Sequence, residues 1–189
     1  MSNTELRFRV ATSDDAPKIQ EFVEAAFQAE DSRPAWTADM ALGRGFRLPL
    51  EAVRAVIARP DSAILMGFAA GGPLVASVEV ARRGDGDLAR IAMLSVDPGR
   101  QRAGLGRAVL AHAEAYGRET WGARRAGLNA LSTRAQLLAW YGRNGYRETG
   151  ETAPFPVERY PELDLPGDLC FVEMEKDLGA TESRAEGGA

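Results

Sequence analysis

A chain of 189 residues and 20.4 kDa is long enough for one domain, and its 45% hydrophobic and 26% charged residues are typical of a globular protein that fills a core. A single cysteine and a single histidine exclude a disulfide framework, a cysteine-based metal site and a Ser-His-Asp triad, so we expect no metal. The net charge of −4, the lack of a long apolar run and the charges near the start argue against a nucleic-acid coat, a membrane span and an export signal. We therefore expect a cytoplasmic protein with neither nucleic-acid nor membrane partners.

The first half of the chain predicts helices followed by a three-stranded meander. In chain order, we first expect a strand over residues 6–10, a helix capped by Thr12 or Ser13 and running to residue 27, a loop with a short helical piece over 31–47, and a helix over 50–58. These are followed by a hairpin of strands 63–70 and 74–80, a turn over 82–87, and a strand over 90–96. The helical segments have apolar residues at helical spacing, and the hairpin strands flank a Gly-Gly-Pro turn.

The second half alternates strands and helices. We expect a helix over residues 104–116, a strand over 126–131, a helix over 133–144, and strands over 146–149 and 169–175 separated by a proline-rich loop. A strand, a helix and a strand in succession over residues 90–131 form a crossover, which places two strands parallel. We expect a single domain over residues 1–178 and a disordered tail over residues 179–189.

Charge is concentrated in the middle of the chain. Residues 82–147 carry 12 arginines and 5 acidic residues, whereas residues 148–189 carry 3 basic and 11 acidic residues. A basic segment within an acidic protein favours a local anion site, although arginines on exposed helices would give the same composition.

The candidate anion site is the connection between the strand that ends at Val96 and the next helix. Gly104 and Gly106 allow a ligand to approach the backbone closely, and the amides at the start of the helix favour a phosphate. Arg100, Arg102 and Arg107 add positive charge around this loop, so an anion site is favoured over a plain connection. The chain lacks residues that the Rossmann and P-loop motifs require.

Two motifs resemble those of the GNAT-type N-acetyltransferase superfamily. The stretch Gln101-Arg102-Ala103-Gly104-Leu105-Gly106 is similar to the family's Q/R-x-x-G-x-G/A loop, and residues 135–146 resemble its helix with an aromatic–Tyr pair, followed by a glycine and an aromatic residue. The resemblance covers about residues 5–178. It implies an α/β (mixed α+β) fold with a central, mostly antiparallel sheet of six or seven strands, one parallel crossover pair and flanking helices.

The resemblance implies that acetyl-CoA is the donor and that the acceptor is a primary amine of a small molecule or peptide. The strand Met93, Leu94, Ser95 and Val96 would pair with the pantetheine arm through its backbone. The pyrophosphate would be held by Gln101, Arg102, Ala103, Gly104, Leu105, Gly106 and Arg107. Where many members have a cofactor-binding Asn, this chain has Arg134, whose own cofactor role is a weaker expectation.

For catalysis, the resemblance makes Tyr141 the acid that protonates the leaving thiolate, whereas helical spacing alone favours packing with Leu137 and Leu138. The strand before the loop lacks the Glu that serves many members as base. Glu79 on the preceding strand is the nearest candidate for the base. The alternative is that Glu79 is a solvated residue at the end of its strand, without a catalytic role.

The acceptor itself is not specified by these motifs. Residues 31–47 and 154–167 are expected to form its wall, and the protein is expected to be a monomer or a homodimer. The alternative function is a non-catalytic GNAT-like domain that binds CoA as a sensor or partner module.

Overall fold

The computed structural model describes residues 6–29, 40–100 and 104–179. Seven strands, β1 to β7 in chain order, span Arg7–Val10, Ser62–Phe68, Leu74–Arg83, Leu88–Val96, Arg125–Leu131, Arg147–Pro154 and Cys170–Asp177. Five helices, α1 to α5, span Ala16–Gln28, Met40–Arg44, Leu50–Ala58, Leu105–Trp121 and Ala135–Arg143. The expected tail, apart from Gly179, lies outside the described residues. So do residues 31–39 of the expected acceptor wall.

All seven strands form one sheet in the order β1-β2-β3-β4-β5-β7-β6. Neighbouring strands are antiparallel except for β4 and β5, which α4 connects as a parallel crossover. The expectation of a mostly antiparallel sheet with one parallel pair and flanking helices is therefore confirmed. No helix among the described residues combines the length and apolar character that crossing a bilayer requires.

Helices cover both faces of the sheet. The front face is the one on which α1 and α3 pack against the alternate residues Ile64, Met66 and Met93 of β2 and β4. The back face carries α4 and α5, which pack against the intervening residues, among them Val78 and Val80 of β3. Over β7 the loop after β6 covers part of the front face, since the ring of Phe155 contacts Phe171 with a centroid distance of 5.7 Å.

Helix α4 lies very close to β4. A Cβ built on Gly117 would be 2.4 Å from the Cβ of Ala89, which leaves space for glycine alone. This contact fixes the axis of α4, and with it the position of the helix's first turn at the end of β4.

Several element boundaries differ from the sequence expectation. Strand β6 runs over Arg147–Pro154 instead of residues 146–149, because this edge strand is exposed and has no hydrophobic alternation to indicate its length. Strand β3 extends through Arg83, into the expected turn. Helix α4 continues five residues further than expected, to Trp121, and ends at Gly122 in the left-handed conformation (φ 68°). Helix α5 begins at Ala135, after a turn.

Candidate active site

The parallel pairing of β4 with β5 is short. Residues 88–90 lie opposite residues 125–127, and no further pairs follow, although β4 continues to Val96. The sheet therefore opens between these strands, and the edge of β4 over residues 91–96 is unpaired on the β5 side. Unpaired strand edges hydrogen-bond to extended ligands, because each backbone amide and carbonyl needs a partner.

A β-bulge marks the start of this open edge. The β3–β4 register shifts between Ser77 and Glu79, and Met93 has φ 49°, the only positive φ of a non-glycine residue in the described part of the chain. The Ser95 hydroxyl donates to the Met93 carbonyl oxygen at 3.1 Å. Bulges re-aim backbone groups, and here the bulge turns the peptide groups of β4 next to the opening.

The first turn of α4 lies beyond the end of β4. Gly104 is its N-cap, with φ 77°, a conformation that favours glycine. The first helical hydrogen bond is donated by Ala108 to the Gly104 carbonyl, so the amides of Leu105, Gly106 and Arg107 have no acceptor within the helix. Together with the dipole of a 17-residue helix, these amides suit a phosphate group.

The charged side chains next to this turn differ in whether they have an ion-pair partner. Arg100 lies 3.6 Å from Asp97, whose carboxylate also accepts the Gly99 amide at 2.9 Å. Arg107 is exposed, and no described residue pairs with it. Gln101, Arg102 and Ala103, which the sequence places in the same loop, lie outside the described residues.

Tyr141 projects from α5 into the back-face core. It is 8% exposed and contacts the rings of Trp140 and Tyr146, with centroid distances of 5.1 and 5.9 Å. Leu94 and Val96 of β4 pack against the same cluster. The Tyr141 hydroxyl has no hydrogen-bond partner among the described residues. Burial raises the pKa of Tyr141, so the phenol remains protonated at neutral pH.

Tyr141 and the first turn of α4 are linked by the neighbouring tryptophan. The six-membered ring of Trp140 lies 3.5 Å from where a Cβ on Gly106 would be. The Trp140 side chain of α5 therefore lies beside the first turn of α4. Arg134, at the N-cap of α5, partly offsets the effect of burial on the pKa of Tyr141.

One residue of this region was missed by the sequence analysis. The Thr133 hydroxyl, in the turn between β5 and α5, is buried without a hydrogen-bond partner in the described part of the chain. Leaving such a group unpaired costs about 1–3 kcal/mol, so a ligand group or a water molecule is expected beside it. A threonine between a strand and a helix start is the only local signal.

A second missed feature is an ion-pair network where the β4–β5 pairing ends. Arg90 of β4 donates two hydrogen bonds to Glu173 of β7, and the Asn129 amide of β5 donates to the same carboxylate at 2.7 Å. Burial raises the pKa of Glu173, but these donors outweigh that effect and hold it below its usual value. The network bridges three strands and joins the two parts of the sheet next to the opening.

Glu79 lies on the front face, in the middle of β3, opposite Ala92 and Ile64. It is half-buried, so the alternative of a solvated strand end is wrong. Burial raises the pKa of its carboxyl group, and Arg59 and Arg83 offset this only partly. Tyr141 belongs to the back-face core, so the two candidate catalytic side chains lie on opposite faces of the sheet.

Two cavities flank these elements. One, of about 150 Å³, lies on the front face beneath α1 and α3, and Glu79 and Met93 line it. The other, of about 450 Å³, is a groove between α5 and β6, and none of its lining residues belongs to β4 or α4. The larger cavity is therefore not at the opening. No group of three or more possible metal-ligating side chains occurs among the described residues.

Solved structures share this architecture. The ribosomal-protein-S18-alanine N-acetyltransferase from Escherichia coli superposes with a TM-score of 0.70 at 18% identity, covering 95% of this chain and 98% of that one. Nourseothricin acetyltransferase gives 0.62 at 20% identity, covering 91% and 98%. The spermidine/spermine N-acetyltransferase from Vibrio cholerae gives 0.62 at 15% identity, covering 92% of each chain. At these identities the likeness concerns the fold alone.

The comparison with curated protein sequences gave no significant match. The family model for the acetyltransferase (GNAT) family, however, matches residues 21–146. This range includes α1 from residue 21 onward, both strands of the opening, and the whole of α4 and α5. With two thirds of its length matched, the chain belongs to the GNAT acetyltransferase family.

Proposed function

We propose that the protein moves the acetyl group of acetyl-CoA to a primary amine of a small molecule or peptide, as a cytoplasmic monomer or homodimer. The observation that carries this proposal is the opening between β4 and β5, which places an unpaired strand edge beside the free amides of α4 and the core around Tyr141. An extended arm that ends in a pyrophosphate fits this combination. The family assignment and the amine acceptors named for two of the neighbours agree with it.

In this proposal the donor is held mainly by backbone groups. The edge over Met93, Leu94, Ser95 and Val96 pairs with the pantetheine arm. The loop from Gln101 to Arg107 holds the pyrophosphate through its amides, and arginine charge adds to the attraction. The Thr133 hydroxyl gains a hydrogen-bond partner from the arm, and Arg134 contributes positive charge beside it.

The chemistry is a direct transfer. The amine nitrogen attacks the thioester carbonyl carbon, the new N–C bond forms, and the C–S bond breaks. The amine loses a proton to Glu79, either directly or through water in the opening, and the departing sulfur takes a proton from the Tyr141 hydroxyl. A backbone amide near the bulge polarises the carbonyl oxygen.

Proton affinities limit what Tyr141 contributes. A phenol has a pKa of about 10 and a thiol of about 8.5, so full transfer to the thiolate is uphill by about 2 kcal/mol before burial acts. Burial keeps the phenol neutral, so Tyr141 first stabilises the developing thiolate by a strong hydrogen bond and the proton then passes to the sulfur.

The test is release of free thiol from acetyl-CoA, followed with a thiol reagent in the presence of amino acids, alkylamines, polyamines and peptides with a free N-terminus. The proposal expects release that depends on both protein and amine, and an acetylated amine of the corresponding mass. Binding of acetyl-CoA without release for every amine class would favour the alternative, a non-catalytic CoA-binding module. Failure to bind acetyl-CoA would exclude both.

A further inference from the structure

The front-face cavity of about 150 Å³ contains an unusual combination of surfaces. Its walls are apolar side chains of α1, α3, β2 and β4, such as Val23, Val53 and Ile64. Two polar side chains, Ser77 and Glu79, enter it from β3. A cavity of this kind offers a small organic molecule one apolar compartment and one charged end.

Glu79 supplies that charged end. It is the only charged side chain among the described residues that line the cavity, and it makes no hydrogen bond or ion pair with any of them. Arg59 and Arg83 influence it only through space. Water screens a half-buried carboxylate less than an exposed one, so a cationic ligand beside Glu79 would gain more from the ion pair than it would at the surface.

The cavity also adjoins the reaction site. Met93 lines it and is the bulge residue with which the open edge of β4 begins. Glu79 lies opposite Ala92, the residue before the bulge. A cation beside Glu79 is therefore next to the strand that carries the thioester in the proposed function.

We infer that this cavity is the acceptor pocket and that it selects compact primary monoamines of about six heavy atoms in all, with the ammonium group against Glu79 and the alkyl body in the apolar part. This inference rests on the proposed function. The size follows from the volume, since an apolar cavity of about 150 Å³ holds a molecule the size of benzene. A polyamine has a further positive charge for which the described lining provides no second carboxylate.

The experiment compares cyclopentylamine with spermidine and with a peptide N-terminus in the thiol-release assay. Cyclopentylamine is expected to have at least a tenfold higher kcat/KM than either. Ala52→Leu places bulk at an exposed position that lines the cavity and should raise the KM for cyclopentylamine about tenfold. Ala55→Leu, exposed on the same helix but outside the lining, is the matched control and should leave that KM unchanged.

Calorimetry with cyclopentylamine alone, without acetyl-CoA, separates this inference from the proposed function. Binding that is lost in Glu79→Gln and in Ala52→Leu supports the pocket even if no amine releases thiol. Preference for spermidine or the peptide, or equal effects of the two leucine variants, would overturn the pocket while leaving the acetyltransferase proposal in place. Binding that is unchanged in Glu79→Gln would likewise overturn it.

Discussion

Replacing Tyr141 with phenylalanine removes one hydroxyl and retains the ring that contacts Trp140 and Tyr146. Since that hydroxyl has no hydrogen-bond partner among the described residues, the free energy of unfolding should change by less than about 1 kcal/mol. If the hydroxyl stabilises the leaving thiolate, kcat should fall about 10²–10⁴-fold, which corresponds to about 3–5 kcal/mol in the transition state. The dissociation constant for acetyl-CoA should stay the same, because this interaction develops only as the C–S bond breaks.

The neighbouring tyrosine provides the control. The Tyr146 hydroxyl donates to Glu114 at 3.0 Å, and Tyr146 is only 2% exposed. Tyr146→Phe should therefore lower the free energy of unfolding by about 1–3 kcal/mol and leave kcat unchanged. Urea unfolding and steady-state kinetics on both variants complete the comparison. A Tyr141→Phe protein with wild-type kcat, or equal losses of kcat in both variants, would refute the catalytic role.

Three further predictions concern the framework. Gly117→Ser places a Cβ 2.4 Å from a methyl group of β4, so urea unfolding should show a loss of about 1–3 kcal/mol in the free energy of unfolding. Gly142→Ala has no atom within 4 Å of the new Cβ and should raise the free energy of unfolding by up to about 1 kcal/mol. Equal effects of the two variants would contradict the close packing of α4 on β4. Arg90→Met leaves the Glu173 carboxylate, which is 21% exposed, without its cation and should lower the free energy of unfolding by about 2 kcal/mol. Arg125→Met removes a side chain that is 44% exposed and should lower it by less than about 1 kcal/mol. A reversed order of the two effects would contradict the network. Because folding raises the pKa of Glu79, the wild-type protein loses stability as pH rises from the unfolded pKa, about 4, through the folded pKa. The stability gain of Glu79→Gln should therefore grow as pH rises above about 4, and a gain independent of pH would be evidence against the burial of this carboxylate.

The sequence predicts the features that depend on local signals. Glycines at positions 104 and 145, the Gly-Gly-Pro turn and the spacing of apolar residues were enough to place all seven strands, four of the five helices and the parallel crossover. The short helix α2 was expected only as a helical piece within a loop. The extent of β6 was not predictable, because its register with β7 defines an exposed strand that has no pattern of its own.

The parts of the site that depend on distant contacts had no such signal. Glu173 meets Arg90 across 83 positions and Asn129 across 44, and nothing in the local sequence marks those pairs. Glu79 looked like a solvated strand end because its burial comes from α1 and α3, which precede it in the chain. The sequence shows that β4 lacks a glutamate that could act as base, but it does not identify the side chain that takes this role, because that side chain could lie on either face of the sheet.

Hydrogen exchange of the backbone amides, with and without acetyl-CoA, tests the central claim most directly. If the donor lies in the opening between β4 and β5, acetyl-CoA should slow exchange over residues 93–96, where β4 has no partner on its β5 side, and over residues 105–107, whose amides have no acceptor within α4. Peptides from β1 and the groove between α5 and β6 should exchange at unchanged rates. Protection confined to that groove, or no protection along β4 at saturating acetyl-CoA, would contradict the account.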